Sequence, residues 1–181
     1  MSPHVNNASR LMATAPQYGV GIIVSESVRD LFSTKGQRIL RHVDTVTVKG
    51  SKIPSKIFSC DYKTELLFSK VGEGGELTAK QLDEVDSDGF SFDIWQEDAT
   101  LLEMRKHISV KFEKCFEEGK DLYLQGKWLE AKKKLEAANA IYRLENENVA
   151  DGPSSSLIQF MYLNVHPGYH WQGFRPLPKR R

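Results

Sequence analysis

This sequence has few cysteines, no long apolar run and almost no net charge. The two cysteines, Cys60 and Cys115, lie far apart with no Cys-x-x-Cys spacing, which argues against a disulfide framework or a zinc ribbon. The 25 basic and 24 acidic side chains nearly cancel, so no overall field attracts nucleic acid or an anionic membrane. The most apolar stretch, 20–24, is far shorter than the roughly 20 residues that span a bilayer.

The lack of a disulfide framework predicts a protein of the cytoplasm, a reducing compartment, because disulfides form and persist in oxidising compartments. Nucleic acid is not expected as a partner, and no membrane segment is expected in this chain. Membrane anchoring of a longer parent protein stays open.

Hydrophobic periodicity predicts an α/β part at the start of the chain. Apolar residues at helical spacing predict a helix over residues 4–16. The β-branched run 20–24 is typical of a strand buried on both faces, and Ser25 is expected to cap a short helix that ends near residue 32. Segments 38–48 and 56–62 predict an antiparallel hairpin.

A change of composition separates this part from a helical tail. Glycine and acidic residues dominate from about 71 to 99, as in a linker, and the pattern beyond is helical and densely charged. We predict an α+β fold divided into an α/β part at 1–64, an acidic glycine-rich linker at 65–99 and a helical tail at 100–181. Residues spaced like one tetratricopeptide-type helix pair lie within this tail: Gly119, Leu122, Gly126, Ala131, Leu135 and Ala138.

The residues with the clearest indication of chemistry lie on the first predicted helix. Asn6 and Arg10 are four residues apart, which places them on one face of a helix. The run Val5-Asn6-Asn7-Ala8-Ser9-Arg10 resembles the V-N-x-A-S-R motif of class III adenylate and guanylate cyclases. Gln17-Tyr18-Gly19-Val20 and Val46-Thr47-Val48-Lys49-Gly50 continue the resemblance in the family's order, over about the first 60 residues. The resemblance implies the C-terminal part of a ferredoxin-like cyclase domain, made of helix, strand, helix and β-hairpin.

The function implied by this resemblance is cyclic nucleotide synthesis for intracellular signal transduction. The ribose 3′-hydroxyl of a nucleoside triphosphate, ATP or GTP, attacks the α-phosphate and releases pyrophosphate together with cAMP or cGMP. By resemblance, Arg10 would stabilise the charge that develops at the α-phosphate, Asn6 would position the ribose, and Lys49 would contact the terminal phosphates. Without the resemblance, an Asn and an Arg at this spacing are more often a solvated helix face.

Two parts of the family's site have no match in this sequence. The family binds paired Mg²⁺ (or Mn²⁺) ions through two aspartates on earlier strands, and its base-selecting residue precedes the V-N-x-A-S-R helix. We therefore expect this chain to be inactive in isolation, as a truncated product or as a chain that complements a second cyclase domain in a homodimer or heterodimer. Two alternatives stay open: a non-catalytic dimerising or regulatory partner of a complete cyclase domain, and a helical protein-interaction module.

Two short motifs of the tail also resemble known sequences. Asp151-Gly152-Pro153-Ser154 and Trp171-Gln172-Gly173-Phe174-Arg175 are similar to the ending that follows some protist and algal cyclase domains. We expect this ending to pack against the helix pair, with Trp171 and Phe174 as anchors.

Overall fold

The computed structural model describes residues 3–47, 53–62, 99–168 and 171–177. These residues form the mixed α+β fold expected from the sequence, with a small four-stranded sheet and several helices. The chain divides into two compact units, Met1–Asp61 with His107–Arg181, and Tyr62–Lys106. The predicted linker lies outside the described residues except for Ala99, which begins a helix.

The helices and strands occur in the following order. The α/β part contains α1 (Pro3–Met12), α2 (Ala15–Tyr18), β1 (Ile23–Ser25), α3 (Glu26–Arg29), α4 (Thr34–Arg38), β2 (Leu40–Thr47) and β3 (Ser55–Cys60). The Tyr62–Lys106 unit contains α5 (Ala99–Arg105). The remaining elements are α6 (Val110–Leu124), α7 (Trp128–Glu145), α8 (Gly152–Asn164) and β4 (Arg175–Pro176).

The sheet has the strand order β1-β3-β2-β4, in which the first three strands are antiparallel and β4 runs parallel to β2. The predicted hairpin is confirmed as β2 and β3. Ser25 caps α3 as predicted, since its side chain accepts a hydrogen bond from the Val28 N–H at 3.4 Å. β4 had no signal in the sequence, because two residues are too few to show a period.

The prediction that the first strand is buried on both faces is wrong. β1 is half-buried, and Ile22 just before it is 46% exposed. The reason is its position, since β1 is an edge strand that pairs only with β3 among the described strands. A β-branched run therefore reflects strand propensity here rather than burial.

The predicted helix pair is confirmed as α6 and α7, which are joined by residues 125–127. A Cβ atom added to Gly119 would lie 2.8 Å from Cγ of Leu135, so the two helices approach each other as closely as the small residues suggested. Trp171 is an anchor as expected: its Nε1 donates to the Leu124 carbonyl at 3.1 Å, and its ring lies 5.2 Å from that of Tyr123.

The helical residues pack directly on the α/β part within one compact unit. A Cβ atom added to Gly152, the first residue of α8, would lie only 2.1 Å from the carbonyl oxygen of Tyr18. Gly19, at the C-terminal end of α2, has a φ of +61°, a left-handed conformation that favours glycine. The two glycines thus let the start of α8 rest on the turn after α2. No helix within the described ranges is long and apolar enough to cross a membrane.

Candidate functional site

The structure places two of the three predicted site residues on α1. Asn6 and Arg10 lie on this helix, one turn apart, and Arg10 is exposed; the side chain of Asn6 is outside the described set. Lys49 falls in residues 48–52, which also lie outside the described residues, shortly after β2 ends at Thr47. The arrangement of the three side chains around a nucleotide therefore stays a prediction.

The tyrosine of the Gln17-Tyr18-Gly19-Val20 block is part of a buried polar cluster. The Tyr18 hydroxyl donates a hydrogen bond to Oδ2 of Asp44 at 2.7 Å. The Nε atom of Arg175 lies 2.7 Å from the same carboxylate oxygen and 3.1 Å from the tyrosine hydroxyl. The guanidinium of Arg175 also lies over the Tyr18 ring, 4.8 Å from its centroid. Two blocks that carry the family resemblance, one near each end of the sequence, thus meet at one carboxylate.

The charges of this cluster follow from burial and from the ion pair. Burial raises the pKa of Asp44 to about 6, although the Arg175 guanidinium and the Tyr18 hydrogen bond act in the opposite direction. Burial, together with the Asp44 carboxylate, raises the pKa of Tyr18 well above its usual value. Tyr18 therefore remains a neutral phenol that donates a hydrogen bond to Asp44.

A second buried arginine, Arg41 of β2, joins the sheet to the start of α8. Its guanidinium binds Asp61 through two bonds of 2.6 and 3.0 Å, and Asp151 through two bonds of 2.9 and 3.2 Å. Aromatic rings of α6 flank it, with the centroid of Phe116 at 4.5 Å. Bidentate pairs of this kind fix the orientation of the guanidinium relative to its carboxylate partners.

The Asp151-Gly152-Pro153-Ser154 motif has a structural explanation in this contact. Asp151 is the N-cap of α8, accepting a hydrogen bond from the Ser154 N–H at 2.8 Å, and the same carboxylate pairs with Arg41. Gly152 permits the contact with the Tyr18 turn, and Pro153 suits the first turn of a helix because its missing N–H would be unpaired there. Asp151 and Gly152 thus hold the start of α8 against the sheet and the α2 turn, while Pro153 and Ser154 form its first turn.

A pocket of about 290 Å³ lies between the sheet and α6. The arginines and the lysine that line it come from four different elements: Arg29 from α3, Arg38 from α4, Arg41 from β2 and Lys120 from α6. Phe58 and Phe116 form part of its apolar wall. We call this feature the Lys120 pocket.

His42 and Lys120 form a hydrogen-bonded pair in the wall of the Lys120 pocket. The Lys120 side chain is only 7% exposed, and its Nζ lies 3.2 Å from Nδ1 of His42 and 2.9 Å from Oδ1 of Asp121. An ammonium group can only donate, so Nδ1 of His42 accepts and Nε2 carries the proton that is donated to the Asp44 carbonyl at 2.9 Å. Burial and the Lys120 charge lower the pKa of His42 to about 4. His42 is therefore neutral at pH 7.

The sequence pattern did not identify these polar residues. Asp44 lies among apolar and β-branched residues of a strand, where a carboxylate is unusual. This unusual position was the signal that could have identified Asp44 as a buried polar residue. No signal in the sequence indicated that Lys120 is buried, because a lysine in a charged helix is ordinarily solvated.

Comparison of the chain with protein-family models, with curated proteins and with solved structures gives no significant match. Among the described residues, no group of three or more His, Cys, Asp or Glu side chains is arranged to hold a metal ion. Mg²⁺ prefers carboxylate oxygens, whereas Asn6, Arg10 and Lys49 would face the nucleotide.

Proposed function

We propose that this chain is the C-terminal part of a class III nucleotidyl cyclase catalytic domain, with α1 supplying groups that act on a nucleoside triphosphate. The observation that carries the proposal is the position of Asn6 and Arg10 one turn apart on a helix. Further support comes from the elements that follow, because a strand, short helices and an antiparallel hairpin occur in the order that the family resemblance implies.

The chemistry needs a cation at the α-phosphate and an aligned ribose. The 3′-oxygen forms a bond to the α-phosphorus, the bond from that phosphorus to the bridging oxygen breaks, pyrophosphate leaves, and the hydroxyl proton is released. Arg10 is exposed and so is accessible to the developing negative charge, which a preorganised guanidinium stabilises. Asn6 would hold the ribose in line, and Lys49 would bind the terminal phosphates as a point charge.

Residues of a longer polypeptide or of a second cyclase domain would supply the Mg²⁺ (or Mn²⁺) ligands and the base-selecting residue. The edge of the sheet at β1 supports such a partner. β1 is an edge strand among the described strands, and two large apolar side chains nearby in sequence, Ile22 and Leu31, are 46% and 84% exposed. An unpaired edge with exposed apolar residues is a surface that another chain can cover.

The experiment is complementation. The chain is mixed with a cyclase domain that keeps its metal-binding aspartates but has its own motif arginine replaced, and cyclic nucleotide is measured with ATP or GTP and Mn²⁺. We expect activity only in the mixture, and Arg10→Ala should reduce it by about a hundredfold or more. Arg143→Ala, at an exposed arginine of α7, is the matched control and should leave it unchanged.

Other outcomes would contradict the proposal. A mixture that stays inactive with both nucleotides would argue against a catalytic role. A complete cyclase domain whose activity changes equally with wild-type chain and with Arg10→Ala would instead indicate a non-catalytic regulatory partner. If residues 107–181 alone bound a partner protein as tightly as the full chain, a helical interaction module would be the better description.

A further inference from the structure

The Lys120 pocket is not formed by the helix that carries Asn6 and Arg10. The described residues that line it come from α3, α4, β2, β3 and α6, and α1 contributes none of them. Its volume of about 290 Å³ is at the small end of the range for ligand sites. A ligand here would therefore be small.

The cations of this pocket differ in how far they are already neutralised. Arg41 is not available to a ligand, because Asp61 and Asp151 occupy its guanidinium. Within the part of the chain that the structure describes, Lys120 has one carboxylate partner, Asp121, which is itself 53% exposed. The other contact of its ammonium among the described residues is the neutral ring of His42, so a third hydrogen of Nζ can serve a ligand.

Arg29 adds a second donor with unsatisfied capacity. Its NH1 contacts Asp30 at 3.3 Å, and its guanidinium carbon lies 5.0 Å from the Phe58 centroid. Its Nε is buried and has no hydrogen-bond partner among the described residues. A buried donor without an acceptor is rare in folded proteins and calls for an explanation, and a ligand oxygen in the adjacent pocket would supply that acceptor.

The acidic lining residues limit the charge of such a ligand. Glu113 and Glu117 of α6 also line the pocket, so a highly charged polyphosphate would be repelled. One compact oxyanion could be held by Lys120 and Arg29, with the exposed Arg38 at the rim. Guanidinium and ammonium groups both form charge-assisted hydrogen bonds to carboxylate and phosphate oxygens.

We propose that the Lys120 pocket binds a small oxyanion, a phosphate or carboxylate group, through Lys120 and Arg29. The complete 181-residue chain is titrated with inorganic phosphate, and separately with acetate, at pH 7 and constant ionic strength with chloride as the reference anion. NMR chemical shifts of the His42 imidazole and of backbone amides report the location of binding. Saturable shifts centred on His42, Lys120 and Arg29 are the expected result, and the anion that saturates at lower concentration identifies the preferred chemistry.

Substitutions test which cations hold the anion. Lys120→Met and Arg29→Gln should each weaken binding by about tenfold, the effect of losing one charge-assisted hydrogen bond. Lys134→Gln is the matched control, because Lys134 is an exposed lysine of α7 paired with Glu118, and it should not change the affinity. Circular dichroism of Lys120→Met checks that the fold is retained, and Arg29→Gln provides the test if it is not.

Three results would overturn the proposal. Shifts that grow linearly with either anion at many lysines and arginines would indicate non-specific screening. Equal affinity in wild type, Lys120→Met and Arg29→Gln would exclude these cations as the site. Loss of binding in Arg10→Gln alone would place the anion on α1. The assay requires no catalysis, so its outcome is independent of the complementation experiment.

Discussion

The guanidinium of Arg175 lies 2.7 Å from the carboxylate of Asp44, and both side chains are almost fully buried. This pair joins β4, at the far end of the described chain, to the middle of β2, and it lies against the hydroxyl of Tyr18. The C-terminal strand β4 is consequently linked to β2 and to Tyr18 of α2 through a buried charge pair.

Removal of the cation of this pair should destabilise the protein at neutral pH. We expect Arg175→Met to lower the free energy of unfolding by about 3 kcal/mol, because it leaves a buried carboxylate without its partner. Since burial raises the pKa of Asp44 to about 6, the loss should be smaller at pH 5, where Asp44 becomes protonated. Urea unfolding at both pH values checks this, with Arg143→Met as the exposed control; an equal effect of the two substitutions would contradict the prediction.

The start of α8 should be intolerant of a single added methyl group. Gly152→Ala places a Cβ within 2.1 Å of the Tyr18 carbonyl oxygen, so backbone must move at a cost of about 1 to 3 kcal/mol. Gly168→Ala is the matched control, since a Cβ there would meet nothing within 4 Å. Thermal unfolding of both variants is compared, and similar melting temperatures would show that α8 does not rest on the α2 turn.

Asp151 should contribute more to stability than an ordinary N-cap. Ser109 caps α6 by accepting a hydrogen bond from the Phe112 N–H at 3.1 Å, and Ser109→Ala should cost about 1 kcal/mol. Asp151→Ala removes a cap and also one partner of the buried Arg41, so its cost should reach about 3 to 5 kcal/mol. Denaturant unfolding gives the free energy of unfolding of both variants. If their losses differ by less than about 1 kcal/mol, Asp151 contributes no more than an ordinary N-cap.

His42 should make the protein less stable as the pH falls below neutrality. Its folded pKa of about 4 is below the ordinary value of about 6.5, so between these values the unfolded chain takes up a proton that the folded chain does not. The stability contribution is complete above pH 6.5 and decreases as the pH approaches 4, by up to about 3 kcal/mol. NMR titration of the imidazole gives the pKa directly, and Lys120→Met should raise it by removing the neighbouring charge. If His42 of the folded protein titrates near 6.5, burial and the Lys120 charge do not lower its pKa, and the prediction is wrong.

Local patterns in the sequence were sufficient for much of the fold. Helical periodicity predicted one helix over residues 4–16, whereas the structure divides this stretch into α1, which ends at Met12, and α2, which begins at Ala15. The small residues at 119, 131 and 138 indicated the close packing of α6 and α7. Ser25 was recognisable as a cap, since capping depends on neighbouring residues only. The hairpin was predicted because strand patterns on either side of a turn are close in sequence.

The candidate site was predicted only in part, because local patterns relate only residues that are close in sequence. Asn6 and Arg10 share one helix, so their spacing alone places them one turn apart. The partners of Asp44 and Arg41 come from segments distant in sequence, and no periodic pattern relates Asp44 to Arg175 or Arg41 to Asp151. The burial of Lys120 depends likewise on the sheet that packs against α6.

The sequence by itself therefore determined most of the helices and strands, though not α4 or β4, and it determined which helix carries the cyclase-like pair. Only the tertiary structure decided that α8 and β4 attach to the sheet through Arg41 and Arg175, and that a basic pocket forms beside His42. The physical reason is that secondary structure depends on hydrogen bonds and spacing within a few residues, whereas the pairing of buried charges depends on which distant segments exclude water from the same place.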